Sequence, residues 1–435
     1  MKKAAAVILA VLQCALLLCL SVFAEDTQVA AEPEVTNCAA AYLYNFENDK
    51  AVYSYKADEK VSPTSSVKIM TGILAVEALG AEPDRQITVT AEMLSNVAGN
   101  NISLKAGETV TVKDMIHTLL VNGANDSAYV IAYTVSGSAG AFVSRMNTRA
   151  RELGAYNTNY ANPTGMHDAS MYTTAQDTAI IARHAYSLDM FMECATSIKY
   201  SMPQTNKSQA RTVYNRNCLM SVYYEQGYFY DKAKGINAGS TSEGGYCVVT
   251  TATDGKLTYL AVVLGAKSVE GKIYSYVDAT NMLEWGFAAF TYKDVLSPDQ
   301  VVCEIPVTLS TAVDHVTLVS KETLSVFLPS DTNVEEEITV SYVMNSDSLQ
   351  APVSEGQVAG KVTAVYKGEV LGSTDLIATA DVSRSDMLYG LYRIQQFTKS
   401  RFFIATLVAA VVFFLLYIFG TAYFRQKRFN RTGRY

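Results

Sequence analysis

Apolar positions change their period several times along the chain. Lys2 and Lys3 precede an apolar run, Ala4 to Leu20, after which "SVFA" offers Val22 and Ala24 as small residues at a cleavage site. That is the layout of a secretory signal peptide, residues 1–24. Residues 25–37 are acidic and without period, a flexible lead-in. Ala39–Phe46 and Ala51–Tyr55 then read as two strands around the turn signal Asn48-Asp49. From Pro63 the spacing turns helical, with Val67, Ile69, Met70, Ile73, Leu74 and Val76 supplying the apolar positions and Gly80 ending the run.

Between residues 110 and 190 helices dominate, punctuated by Gly137, Gly154 and Gly165. After Tyr228 the pattern becomes strand-like. "YCVVTTAT" and "LTYLAVVLGA" flank Asp254-Gly255, a strong hairpin signal, and a helix from Tyr276 to Phe290 follows. Val301 to Val382 is a series of short β-runs separated by turns, which predicts a small all-β module. Phe402 to Phe424 is 23 residues without a charge, against the roughly 20 needed to cross a bilayer. Arg425, Lys427, Arg428, Arg431 and Arg434 follow at once, and such residues stay on the cytoplasmic side. The expected protein is an exported body tethered to the cell membrane by one C-terminal helix, its C-terminus cytoplasmic.

Charge and cysteine content refine this picture without changing it. A chain of 435 residues has room for two domains, and a formal net charge of −7 leaves no basic footprint for nucleic acid. Cys14 and Cys19 leave with the signal. Cys38, Cys194, Cys218, Cys247 and Cys303 show no paired spacing and read mostly as buried small hydrophobes, although one bridge stays open. His117, His167, His184 and His315 have no metal-ligand spacing, and no Gly-rich phosphate loop occurs, so neither metal nor cofactor is expected.

The candidate chemistry begins at "SPTSSVKIMTG". Ser65 and Lys68 stand three apart at a predicted helix start, a spacing that brings both side chains to one face. A serine hydroxyl needs a base to become a nucleophile at neutral pH, and a partly buried lysine with a lowered pKa can be that base. A helix N-terminus also offers backbone N–H groups to an oxyanion. Taken alone, the same residues suit a serine capping a helix.

More of the chain bears on that choice. "PTSSVKIMTG", "LKAGETVTVKDMIHTLLVNGANDSA", "YANPTGMHDASMYTTAQDTAIIAR", "YNRNCLM" and "KGINAGSTSEGGYCVV" occur in that order. Together they resemble the serine-type D-alanyl-D-alanine carboxypeptidases, the low-molecular-mass penicillin-binding proteins. The tail "APVSEGQVAGKVTAVYKGEVLGSTDLIA" is similar to that family's β-rich C-terminal module. The resemblance implies an α/β (α+β) fold of the serine β-lactamase and penicillin-binding-protein transpeptidase type over residues 38–295. A β-rich domain over 300–383, a linker over 384–401, a membrane helix over 402–424 and a basic tail over 425–435 would follow.

It implies roles as well. Ser65 would attack the carbonyl of a peptidoglycan stem peptide ending in D-Ala-D-Ala and carry the acyl group. Lys68 would be the base, and Asn125 would hold the substrate amide and the lysine. Asn237, Gly239, Ser240 and Thr241 would line the substrate's place, the N–H groups of Ser65 and Ser240 would form the oxyanion hole, and β-lactams would acylate Ser65.

Two elements depart from the pattern. The S-x-N element reads Gly123-Ala124-Asn125, without the hydroxyl that would relay a proton, help worth ~10²–10⁴-fold. The K-T-G element reads Asn237-Ala238-Gly239, without the charge that would pair the substrate carboxylate and depress the pKa of Lys68. Lys234 is three residues away along a strand and falls on the opposite face. The competing function is therefore an impaired or inactive relative that binds peptidoglycan or a cell-wall protein. Among the remaining residues, His117 reads as a core histidine and Glu335–Glu337 as a solvated turn. Tyr223, Tyr224, Tyr228 and Tyr230 suit packing better than a peptide groove.

Overall fold

The computed structural model describes residues 31–432. The expected signal peptide, the start of the lead-in and the last three residues lie outside them. Two units divide the chain. One runs to Thr291 and takes back Pro329–Asp331; the other holds Tyr292–Leu328 and the chain from Thr332 onward.

The first unit is built on a five-stranded antiparallel sheet. Its strands are β1 (Ala40–Asn45), β2 (Lys50–Tyr55), β3 (Ala233–Thr241), β4 (Gly245–Thr253) and β5 (Thr258–Ala266), in the spatial order β2-β1-β5-β4-β3. The hairpins read from Asn48-Asp49 and Asp254-Gly255 are both present. Consecutive residues Val248 to Ala252 are all buried, so both faces of the sheet are covered, which is why these strands read as unbroken apolar runs.

On one face Cys247, Val249, Leu260, Val262 and Leu264 pack into the core that includes helix α1 (Val67–Leu79). On the other, Tyr259 reaches helix α2 (Tyr274–Ala289) and donates to the carbonyl of Gly286 at 2.9 Å. Helix α1 is buried from Val67 to Ala75 without interruption, as befits a central helix apolar all round. Further helices at Asn125–Ser136, Ala139–Glu152 and Ala175–Tyr186 pack around it.

Local details differ from the sequence expectation. The helix read from Pro63 begins as a 3₁₀ turn, Thr64–Ser66, and only then becomes α1, so Ser65 precedes the helix proper. The helix at Val112–His117 loosens into a π-helical turn, Thr118–Asn122, which stops at Gly123. Tyr223 and Tyr224 were expected to pack in strands; they sit on an irregular loop and are exposed, because no strand forms between Tyr214 and Ala233. Glu335–Glu337, expected as a turn, lie in one exposed turn of helix, Val334–Glu337, capped by the Asn333 side chain. His117 is a core residue, stacked on Tyr200 with ring centroids 4.2 Å apart. The five described cysteines are all free; Cys194, Cys218 and Cys247 are buried.

The second unit carries a six-stranded sheet that includes Val301–Thr308, His315–Ser320, Ile338–Met344, Val358–Tyr366 and Glu369–Ala378, over a core of residues such as Leu318, Val362 and Leu376. The segment read as a linker is helical at Asp386–Lys399. Ser400 leaves the helical conformation, and a helix from Arg401 to Thr432 follows. Its portion Arg401–Lys427 is long and apolar enough to cross a membrane, and most of its large apolar side chains are exposed.

Candidate active site

Ser65 is presented by a turn that local sequence alone would not favour. Thr64 sits at φ +47°, a left-handed conformation uncommon for a β-branched residue, and is itself buried. Such conformations persist where the surroundings over-determine them, and they cluster at functional sites. Strand β3 passes directly alongside. A β-carbon on Gly239 would stand 2.6 Å from Ser65 Oγ, so only glycine lets the strand approach this closely. The Ser65 hydroxyl faces the Ala238 carbonyl at 3.5 Å, at the limit of a hydrogen bond.

Lys68 follows in the first turn of α1, 5% exposed. The loop Asn162–Gly165 meets it. The Asn162 side-chain oxygen accepts from the N–H groups of Thr164 and Gly165, and this turn aims the Thr164 carbonyl at Lys68 Nζ, 2.5 Å away. Burial first, and the positive charge of Arg216 second, push the Lys68 pKa down to about 8, while proximity to Cys247 opposes the shift. With a pKa of about 8, roughly a fifth of the molecules carry this amine neutral at about pH 7.4, against about one in a thousand at the ordinary 10.5.

Ser65, Lys68, Gly123, Asn125, Ala238, Gly239, Ser240 and Thr241 line one cavity of about 480 Å³. The structure thus brings together eight of the nine positions singled out in the sequence. Asn237 is not among the lining residues; it is 4% exposed, and its side-chain oxygen has no hydrogen-bond partner. Lys234 is exposed, and the strand register shifts between Lys234 and Ile236. Asn125 donates through its side-chain nitrogen to Ala98 O at 2.5 Å. Its side-chain oxygen is buried and has no hydrogen-bond partner within the protein. Gly123 is left-handed at φ +70°, yet the space beside it is open; a β-carbon there would meet Lys68 Cδ and Cε at an ordinary 3.8 Å.

Nine further lining residues had no role from sequence, Asn100, His167 and Arg216 among them. Arg216 matters most, being a permanent cation in the wall. It was visible only as part of "YNRNCLM", and nothing in spacing signals that this segment folds back to the cavity. Among the described residues no group of three His, Cys, Asp or Glu is placed to hold a metal.

A serine and a buried lysine beside a glycine-bearing strand are the arrangement that the sequence resemblance implied. The family model for D-alanyl-D-alanine carboxypeptidase matches residues 26–268, and that for the C-terminal domain of penicillin-binding protein 5 matches residues 290–384. The chain belongs to the serine-type D-alanyl-D-alanine carboxypeptidase family.

It is 28% identical over 379 residues to the D-alanyl-D-alanine carboxypeptidase DacF of Bacillus subtilis, covering 86% of this chain and 93% of that one. It is 28% identical over 368 residues to DacC of Escherichia coli, covering 83% and 87%. Among solved structures, penicillin-binding protein 5 from Haemophilus influenzae shares the fold, with a TM-score of 0.57 at 24% identity over 81% of this chain and 100% of that one. A serine-to-alanine variant of the Streptomyces K15 DD-transpeptidase matches 58% of this chain and 99% of its own at 26% identity and a TM-score of 0.53. With its apolar C-terminal helix, the chain is a membrane-anchored member of this family.

Proposed function

We propose that this protein removes the terminal D-alanine from peptidoglycan stem peptides through an acyl-enzyme on Ser65, outside the cytoplasmic membrane. The observation that carries this reading is the buried Lys68, held to about pKa 8 in the same cavity as Ser65. Neutral Lys68 takes the Ser65 proton as Oγ attacks the penultimate carbonyl. The oxyanion is received by the N–H groups of Ser65 and Ser240. Collapse expels D-alanine as its amine takes the proton that Lys68 had gained; the lysine, neutral again, deprotonates the water that hydrolyses the ester and returns that proton to Ser65 Oγ. Asn125, with its unpartnered side-chain oxygen, accepts a hydrogen bond from a substrate amide N–H.

Gly123 and Asn237 support a second reading, a relative that binds wall peptides or a wall protein without turning them over. One experiment separates the two. The detergent-solubilised protein is incubated with a fluorescent penicillin and analysed by mass spectrometry. An adduct on Ser65 that Ser65→Ala abolishes supports the enzyme. A folded protein that acquires no adduct sinks it.

A further inference from the structure

We infer that Asn162 is a positioning residue for the reaction: its side-chain oxygen sets the turn that holds Lys68 and the Thr64–Ser66 segment in register for transfer of the Ser65 proton. The inference rests on the reading above, in which Ser65 is the nucleophile and Lys68 its base.

A lysine is a poorly determined base unless something fixes its amine. The stem is a flexible four-carbon chain, and the neutral amine has a single lone pair to aim. Proton transfer needs that lone pair within hydrogen-bond reach of the serine hydroxyl. Among the described residues the Lys68 amine donates to one partner, the Thr164 carbonyl, at 2.5 Å. Where that carbonyl stands therefore decides where the amine stands.

The carbonyl is placed by Asn162. Its side-chain oxygen accepts from Thr164 N at 3.1 Å, Thr164 Oγ1 at 2.9 Å and Gly165 N at 2.8 Å. Its side-chain nitrogen donates to the Met166 carbonyl at 2.9 Å, so both ends of one amide grip the same short turn. Helix α1 adds a second hold, because Thr71 Oγ1 donates to the Pro163 carbonyl at 2.7 Å. Thr71 follows Lys68 by three residues and shares its helix face. Two successive carbonyls of the turn thus bind two side chains of one face.

The turn meets the nucleophile's segment as well. Gly165 is left-handed at φ +81°, and a β-carbon on it would stand 1.8 Å from the Thr64 carbonyl oxygen. The Gly165 backbone is therefore packed against the residue before Ser65, the one held at φ +47°. Thr164 meets the base, Gly165 meets the nucleophile's segment, and one amide oxygen binds the N–H of both. Displacing this turn moves the two reacting groups relative to each other, where a shift of about 1 Å is worth roughly a hundredfold in rate. Asn162 itself is half-buried and outside the cavity lining, so substrate binding does not pass through it.

The test uses the full-length protein in detergent. Asn162→Ala is expected to lower kcat for an N-acylated Lys-D-Ala-D-Ala, and the rate of penicillin acylation, by about 100-fold, with KM within about threefold of wild type. Asn162→Asp keeps the accepting oxygen and restores most of that loss. Asn159→Ala removes a different hydrogen bond of the same loop, from Asn159 Nδ2 to Ser170 O at 2.8 Å, and is expected to leave acylation near the wild-type rate. If Asn159→Ala slows acylation as much as Asn162→Ala, or if the aspartate restores nothing, general loosening of the loop is the cause and the positioning role is overturned.

A second measurement needs no turnover. In the Ser65→Ala protein carrying ¹³C at the lysine ε-carbons, the Lys68 signal is identified by its absence in Lys68→Met, and its relaxation reports the mobility of the amine. That carbon is expected to be rigid with Asn162 in place and mobile in Asn162→Ala. Equal mobility in the two proteins overturns the inference. A wild type that releases no D-alanine refutes the catalytic reading alone, and the relaxation comparison still decides whether Asn162 holds the lysine.

Discussion

Gly239 runs so close to Ser65 that a β-carbon on it would stand 2.6 Å from the hydroxyl oxygen and 2.7 Å from the serine β-carbon. Both distances are below any ordinary contact, so Gly239→Ala must displace strand β3, the Thr64–Ser66 turn or the serine rotamer. A shift of about 1 Å at a reacting centre is worth roughly a hundredfold in rate. Acylation by penicillin, followed by stopped-time mass spectrometry, should slow by at least that factor. The urea midpoint should fall by the equivalent of about 1–3 kcal/mol, typical of overpacking. An alanine variant acylated at the wild-type rate would show that the approach does not constrain the serine.

Lys68 carries a prediction in pH. Its pKa is lowered to about 8, so kcat/KM should rise as pH climbs towards 8 and level off above it. Arg216→Gln removes one cause of the lowering and should move the midpoint to higher pH. The same shift has a stability consequence of definite sign. Between about pH 8 and the ordinary 10.5 the unfolded chain binds a proton at this residue that the folded protein does not. Unfolding free energy therefore climbs with pH across that window, by on the order of 3 kcal/mol in total. Lys68→Met should lose both the activity and this slope, read by urea titration at several pH values. A slope unchanged in the methionine variant would assign it to other groups.

A second buried group makes the opposite prediction. Asp278 on α2 is 2% exposed, and one of its carboxylate oxygens has no hydrogen-bond partner. Burial raises its pKa to about 6, against a smaller opposing effect from the neighbouring Cys38 thiol. The folded state holds this proton more tightly than the unfolded state between the ordinary 3.8 and about 6. Stability is therefore lost as pH rises through that interval and stays lower above it. Asp278→Asn removes the charge at nearly constant shape. It should raise stability at pH 7.5 by about 1–3 kcal/mol and change little at pH 4. A variant equally stabilised at both pH values would refute titration as the cause.

Much of this was legible in the sequence, for identifiable reasons. Ser65 and Lys68 are three residues apart, and local spacing suffices to bring them together. The main-sheet hairpins announce themselves through Asn48-Asp49 and Asp254-Gly255. Arg216 was not legible, because its place depends on contacts with Asn100, Val121 and Tyr224 that no spacing in the sequence announces. The exposure of Tyr223 and Tyr224 was misread for a related reason: tyrosine suits strands, and only the long loop between Tyr214 and Ala233 excludes one here. The left-handed Thr64 has no sequence signal at all, since it is imposed by the packing of the turn it starts.

The last prediction concerns the missing hydroxyl at Gly123. The position is left-handed, so any side chain there costs about 1–2 kcal/mol of backbone strain. It is nonetheless open, with a would-be β-carbon in ordinary contact with the Lys68 side chain at 3.8 Å. Gly123→Ser should therefore fold with a modestly lowered melting temperature and place a hydroxyl beside the base. If a proton relay is what the site lacks, D-alanine release should increase by about 10–100-fold, within the range of general acid–base help. Asn237→Lys should add less than Gly123→Ser, because the residue at 237 is buried and outside the cavity lining, so a lysine there must give up its hydration. Measuring release by Gly123→Ser, by Asn237→Lys with Ala238→Thr, and by all three changes together ranks the two defects. If the pair at 237 and 238 restores more activity than the serine, charge rather than the proton relay was the missing element.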